Sequence, residues 1–164
     1  MIELLDKKHN RADFDCGKEL LNNYLKTQAG QDIKRKLSAC FVLSENETNT
    51  IRGYYTLSNN SIPLSSFPEN IQKRLPKTYT SIPTTLLGRL AIDKNYQGKG
   101  IGKILLIDAL KKSYEISQEI GSFAVVVDPI DSEAEYFYQK FDFIKLHDSG
   151  KMFIAIKTLQ DLFK

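Results

Sequence analysis

Apolar and polar positions change period several times along this chain, and each change predicts an element. Residues 16–28 place Leu20, Leu21, Tyr24 and Leu25 at helical spacing behind Asp13 and Asp15, which predicts an amphipathic helix capped by an aspartate. Residues 38–44 and 51–58 are rich in β-formers and flank the polar stretch 45–49, so an antiparallel hairpin is expected. Residues 61–83 carry Pro63, Pro68, Pro76 and Pro83 and are expected to hold a short helix between loops, with no central strand. The apolar run 86–92 then reads as a buried strand. Ile101, Ile104, Leu105, Ala109 and Leu110 return to helical spacing, and 123–127 is the most strand-like run of all. A strand–helix–strand connection of this length makes parallel neighbours. Ser132 and Glu135 suit a capping box for a helix with Ala134, Phe137, Tyr138 and Phe141 on one face. Residues 143–146 and 152–156 close the pattern as a hairpin through Ser149 and Gly150.

A length of 164 residues with 41% hydrophobic and 26% charged positions suits one domain over 1–164 and excludes a disordered or fibrous chain. No apolar run reaches the ~18 residues of a membrane span, and the first residues lack the order of a signal peptide. A cytoplasmic protein is expected. Cys16 and Cys40 do not make a disulfide framework and are read as reduced and structural. His9 and His147 fit no metal-binding spacing, so no metal is assigned.

The net charge of +3 does not by itself mark a nucleic-acid binder. Its distribution is uneven. Bases gather at Lys26, Lys34, Arg35 and Lys36 and again at Lys73, Arg74, Lys77 and Arg89, while acids gather at Glu115, Glu119, Asp128, Asp131, Glu133 and Glu135. Each cluster equally suits a solvated helix face.

The segment with the clearest chemistry is Asp93-Lys94-Asn95-Tyr96-Gln97-Gly98-Lys99-Gly100-Ile101-Gly102-Lys103, a glycine-rich turn between strand and helix. Glycines allow positive φ and close backbone approach, and a helix start offers unpaired N–H groups, so the context suits a phosphate. Lys99 and Lys103 add charge. A dinucleotide fingerprint needs glycine where Lys103 stands, and no glycine fits the Walker spacing.

The loop resembles the Gln/Arg-x-x-Gly-x-Gly/Ala motif of the GNAT superfamily of N-acetyltransferases, here Gln97-Gly98-Lys99-Gly100-Ile101-Gly102. The strings Phe14-Asp15-Cys16-Gly17, Gly53-Tyr54-Tyr55-Thr56-Leu57-Ser58, Leu86-Leu87-Gly88-Arg89-Leu90-Ala91-Ile92-Asp93 and Phe137-Tyr138-Gln139-Lys140-Phe141-Asp142-Phe143 narrow the resemblance to the TacT-like toxin acetyltransferases. One departure is Asp142, where that group commonly has glycine, and an altered turn is expected there.

The resemblance implies an α/β (α+β) GNAT fold: a mixed, mostly antiparallel sheet with a splayed parallel strand pair and helices on both faces. It implies acetyl-CoA as cofactor, its pyrophosphate held at Gln97, Gly98, Lys99, Gly100, Ile101, Gly102 and Lys103. Ala91, Ile92, Val127 and Phe137 become cofactor-facing positions, with strands parting near Ile92 and Val127 for the pantetheine arm. It also gives Tyr138 the part of the acid that protonates the departing thiolate. A phenol with a reference pKa of roughly 10 holds its proton at neutral pH, although the spacing equally suits a core tyrosine. No general base is evident among Asp93, Asp128 and Glu135.

The implied acceptor is the α-amino group of an aminoacyl-tRNA, with Arg89, Lys34, Arg35, Lys36, Arg74 and Lys77 as candidate phosphate contacts. A ribbon-helix-helix antitoxin and a homodimer are implied as partners. Two other readings stay open: a GNAT enzyme acting on a small or peptide amine, and a non-catalytic acyl-CoA-binding domain.

Overall fold

A computed structural model describes residues 1–163. The elements follow in the order β1 (Ile2–Leu4), α1 (Glu19–Asn23), a π-helical turn (Tyr24–Gln28), α2 (Ala29–Lys34), β2 (Ala39–Ser44), β3 (Ile51–Pro63), α3 (Glu69–Gln72), β4 (Ser81–Ile92), α4 (Ile101–Ser117), β5 (Ala124–Val127), α5 (Ser132–Gln139), β6 (Ile144–Lys145), β7 (Met152–Ala155) and α6 (Ile156–Phe163). The strands form one 7-stranded sheet in the order β1-β2-β3-β4-β5-β7-β6. Neighbours run antiparallel at β1–β2, β2–β3, β5–β7 and β7–β6, and parallel at β4–β5. The parallel ladder extends from Thr84↔Ala124 to Leu87↔Val127.

The chain divides into two compact units, and β3, β4 and α4 each run through both. The first unit comprises Met1–Ser58 and Gly88–Ala109. Its core gathers Phe14, Leu25, Cys40, Val42, Tyr54 and Ala91. Phe14 meets Tyr54 edge to face at 5.5 Å, and the Tyr54 hydroxyl donates to the Leu21 carbonyl at 2.7 Å, so this large aromatic is buried without an orphaned polar end. The second unit comprises Asn59–Leu87 and Leu110–Lys164. There Phe67 lies edge-on to Phe123 and Phe153, with Ile62, Ile82, Ala124 and Val126 around them.

Four expectations need correction. The first helix starts at Glu19, not at residue 16, and its helical run continues to Lys34 through a π-helical turn. Gly17 takes φ +87° and so stands outside the helix, while the Asp15 carboxylate is occupied by Gly17 N and Asn22 Nδ2 and caps nothing. Asp13 is likewise engaged, by Asn10 Nδ2. Pro83 lies inside a central strand after all. There its missing N–H costs nothing, because the ladder asks it only for an acceptor, and its carbonyl takes Phe123 N at 2.8 Å. The N-cap of α5 is Asp131, whose side chain accepts from Ala134 N, and Glu135 pairs with Lys145 at 2.6 Å, so no capping box forms.

Gly53 marks where the sheet tolerates no side chain. A Cβ there would stand 2.8 Å from Ile92 Cδ1 and Leu105 Cδ1 and 2.9 Å from the Ala91 carbonyl oxygen. Side-chain tips can move, but the Ala91 backbone cannot without disturbing β4. Gly53→Ala is expected to lower stability by about 1–3 kcal/mol, read as an earlier midpoint in urea denaturation with an unchanged slope.

Candidate active site

The glycine loop begins at the end of β4 and ends in the first turn of α4. Asp93 makes the first corner, accepting from Asn95 N at 2.9 Å to cap a short 3₁₀ turn, Lys94–Tyr96. Gly98 and Gly100 then take φ values of +77° and +79°. Nothing lies within 4 Å of a Cβ built on either, so backbone conformation and not crowding demands glycine at both. Alternation of left-handed and ordinary residues turns successive N–H groups to one side, forming a concavity for an anion. Ile104 N donates to Gly100 O, so the intrahelical ladder opens there and the amides of Ile101, Gly102 and Lys103 have no carbonyl behind them. Lys99 is exposed, with its ammonium 5.6 Å above the Tyr96 ring, and Lys103 is exposed on α4. These residues fit a pyrophosphate: free amides, a helix N-terminus and two cations in one stretch. Ala91 is buried and Ile92 half-buried at the end of β4.

The Gln97 side chain does something sequence reasoning missed. Its amide donates to two backbone carbonyls, Cys16 O at 3.1 Å and Ile92 O at 2.9 Å, and so is already spent on protein.

In the second unit, Tyr138 is 6% exposed on α5, with its ring 5.3 Å from that of Phe137 and 5.2 Å from that of Phe143. Burial pushes its phenol well above the ordinary range, so it keeps its proton across physiological pH. The helix stop holds it. Phe143 N donates to Tyr138 O and Asp142 N to Gln139 O, the paired bonds of a Schellman motif, and the Phe143–Tyr138 ring contact is the hydrophobic partner of that motif. Asp142 occupies its left-handed position with φ +68°. Asp142 holds this turn at the cost of a left-handed backbone that glycine takes without strain. Asp142→Gly is expected to raise stability by about 1 kcal/mol and to leave acetyl transfer unchanged, with thermal unfolding and initial rates as the checks. Val127 is buried at the end of β5, and Phe137 is half-buried with its ring tilted against that of Phe141 at 5.2 Å.

The basic residues fall into both units. Lys34 ends α2, Arg35 follows as its C-cap and Lys36 takes φ +62°; all three are exposed. Arg89 stands with its guanidinium carbon 3.5 Å from the Tyr24 ring centroid, a close cation–π contact. Tyr24 belongs to the π-helical turn, and its hydroxyl donates to the buried Asp32 carboxylate at 2.8 Å. Burial and that carboxylate push the Tyr24 phenol up to about 12. Arg74 and Lys77 are exposed after α3, in the other unit. Cys16 and Cys40 are free and buried, and burial raises both thiols, Cys40 to about 12, as suits structural cysteines.

Residues 36–145 match the model of the Acetyltransferase (GNAT) domain family. A tRNA-acetylating toxin of Mycobacterium tuberculosis H37Rv is 32% identical over 132 residues, which span 80% of this chain and 76% of that protein. Among solved structures, AtaT complexed with acetyl-methionyl-tRNAfMet superposes with a TM-score of 0.92 at 31% identity, covering 100% of this chain and 99% of that one. A mutant of the toxin AtaT bound to the C-terminus of the antitoxin AtaR and to acetyl-CoA superposes with a TM-score of 0.84 at 28% identity, covering 100% and 98%. The left-handed glycine loop, the sheet with its one parallel pair and these matches lead to one conclusion: the chain belongs to the GNAT acetyltransferase family.

Proposed function

We propose that this acetyltransferase moves the acetyl group of acetyl-CoA onto the α-amino group of an amino acid esterified to tRNA, and that it acts as a translation-blocking toxin. The observation that carries the reading is the full-length likeness to a toxin captured on acetyl-methionyl-tRNA. The reading treats residues 1–164 as one functional domain working in the cytoplasm. No helix of the described residues is long and apolar enough to cross a membrane.

Acetyl-CoA, when bound, supplies an acetyl group activated as a thioester. The amides of Gly98, Lys99, Gly100, Ile101 and Gly102, with the Lys99 and Lys103 charges, hold its pyrophosphate. Backbone groups at Ala91, Ile92 and Val127, with the Phe137 ring, orient its pantetheine arm, and an N–H at the end of β4 meets the carbonyl oxygen as negative charge develops on it. With acetyl-CoA bound, the neutral α-amine would attack the carbonyl carbon and the carbon–sulfur bond would break; Tyr138 would give its phenolic proton to the leaving thiolate, while the proton shed by the acetylated nitrogen passes to water, which restores the phenol. Among the described residues the Tyr138 hydroxyl makes no hydrogen bond, so it is free to make one to that sulfur.

Lys34, Arg35, Lys36, Arg74, Lys77 and Arg89 contact tRNA phosphates. Arg89 is seated over the Tyr24 ring, and its guanidinium donors suit phosphate oxygens. A homodimer is the active form, and a ribbon-helix-helix antitoxin neutralises it; the support is the family resemblance and a relative bound to an antitoxin C-terminus. The test follows release of free CoA thiol from acetyl-CoA on adding charged tRNA, uncharged tRNA, free amino acids or polyamines. Release with charged tRNA alone supports the reading. Release with small amines alone selects a different acceptor, and tight binding without release makes this a non-catalytic acyl-CoA-binding domain.

A further inference from the structure

The string Phe14-Asp15-Cys16-Gly17 takes no part in the chemistry above, yet it is bonded to the glycine loop at several points. Asp15 N donates to Asp93 Oδ2 at 3.0 Å, and Lys94 N returns a bond to Asp15 O at 2.8 Å. Gln97 Nε2 reaches Cys16 O. The turn that offers these groups is fixed from α1: Asn22, which is buried, accepts from Cys16 N at 2.8 Å through Oδ1 and donates to Asp15 Oδ1 at 2.9 Å through Nδ2. A second bond to the Asp15 carboxylate comes from Gly17 N. One side-chain amide thus shapes residues 15–17, and a second ties that shape to the residue before Gly98.

We propose that Asn22 and Gln97 are positioning residues for the pyrophosphate of acetyl-CoA, acting through the 15–17 turn without touching the cofactor, an inference that rests on the acetyl-CoA reading of the loop. The Gln97 amide sets the backbone path into Gly98, so its loss widens the range of loop conformations and dilutes the one that aims the amides at phosphate. Binding then weakens in proportion to the lost population, and the chemical step, which the loop does not perform, is spared.

The experiment measures acetyl-CoA affinity by calorimetry, together with KM and kcat, for Gln97→Met, Asn22→Ala and the double variant. Gln97→Met keeps the length of an exposed side chain and removes both donors, so it folds even if Asn22→Ala does not. Each single variant is expected to weaken acetyl-CoA binding about 5–30-fold, with kcat within about twofold and the thermal midpoint of Gln97→Met unchanged. The double variant is expected to bind no more weakly than the worse single variant, because both changes cut one chain of contacts. Amide exchange over residues 94–103 in the cofactor-free protein is expected to quicken in Gln97→Met. Wild-type affinity in Gln97→Met, unquickened exchange, or full additivity in the double variant overturns the proposal. If wild type binds acetyl-CoA and Gly100→Val does not, while both positioning variants bind normally, the inference falls and the loop assignment stands. If wild type binds no acetyl-CoA, both fall together.

Discussion

Tyr138→Phe is expected to bind acetyl-CoA within about twofold of wild type and to transfer acetyl about 10²–10⁴-fold more slowly. The change removes one oxygen and nothing else. The ring contacts with Phe137 and Phe143 survive, and the hydroxyl leaves no described partner unpaired, so thermal stability is expected to hold. Burial raises the phenol, and the same burial disfavours a thiolate placed beside it, so the proton transfer stays close to balance. Because the folded phenol titrates above its ordinary value of roughly 10, kcat is expected to show no alkaline loss from this group below that pH. The rate instead rises with pH as the acceptor α-amine loses its proton, with an inflection near the roughly 7.7–8.0 of ordinary α-amines or below it. Single-turnover rates over pH 6–9 check both statements. An unchanged rate in Tyr138→Phe removes the residue from the mechanism.

Gly100→Val is expected to weaken acetyl-CoA binding roughly 10–100-fold. At φ +79° a β-branched residue is strained although its Cβ meets nothing within 4 Å, so the loop escapes by leaving the left-handed region and turning its amides away. The loss shows in Kd before it shows in kcat. Affinity equal to wild type means that the turn serves packing alone. The same change at Lys99 perturbs only a side-chain charge and is the milder comparison.

Sequence patterns carried the reading where one local rule dominated. The glycine turn, α4 and β5 follow from composition and period, and the parallel pairing of β4 with β5 follows from the length of the crossover. The hairpins β2–β3 and β7–β6 were equally plain, although β3 runs on to Pro63. Failures occur where distant groups decide. Asp15 looks like a cap until Gly17 and Asn22 claim its Oδ1 and Lys94 its Oδ2. Pro83 looks like a strand breaker until the partner strand needs only its carbonyl. β1 and α6 went unread, the first because three residues carry no period and the second because α6 starts directly at the end of β7, so that Ile156 reads as the last residue of the strand.

At the site, the residue types were readable but their partners were not. Gln97 belongs to the motif in sequence and to the backbone of residues 16 and 92 in space. Arg89 announces itself by charge, while the ring that seats it comes from Tyr24, far along the chain in a π-helical turn that no spacing rule predicts. A glycine expected between two phenylalanines was the one available sign of the helix stop that steadies Tyr138.

The central claim is the acceptor, and the most direct measurement is the mass of what the tRNA carries after reaction. Charged tRNA incubated with the protein and acetyl-CoA is digested to its aminoacyl-adenosine end and analysed by mass spectrometry, with fragmentation to place the added group. The account predicts one acetyl on the α-nitrogen of the amino acid, absent when Tyr138→Phe replaces wild type in a short reaction. An unmodified aminoacyl end, with acetyl found instead on free amines in the same mixture, contradicts it.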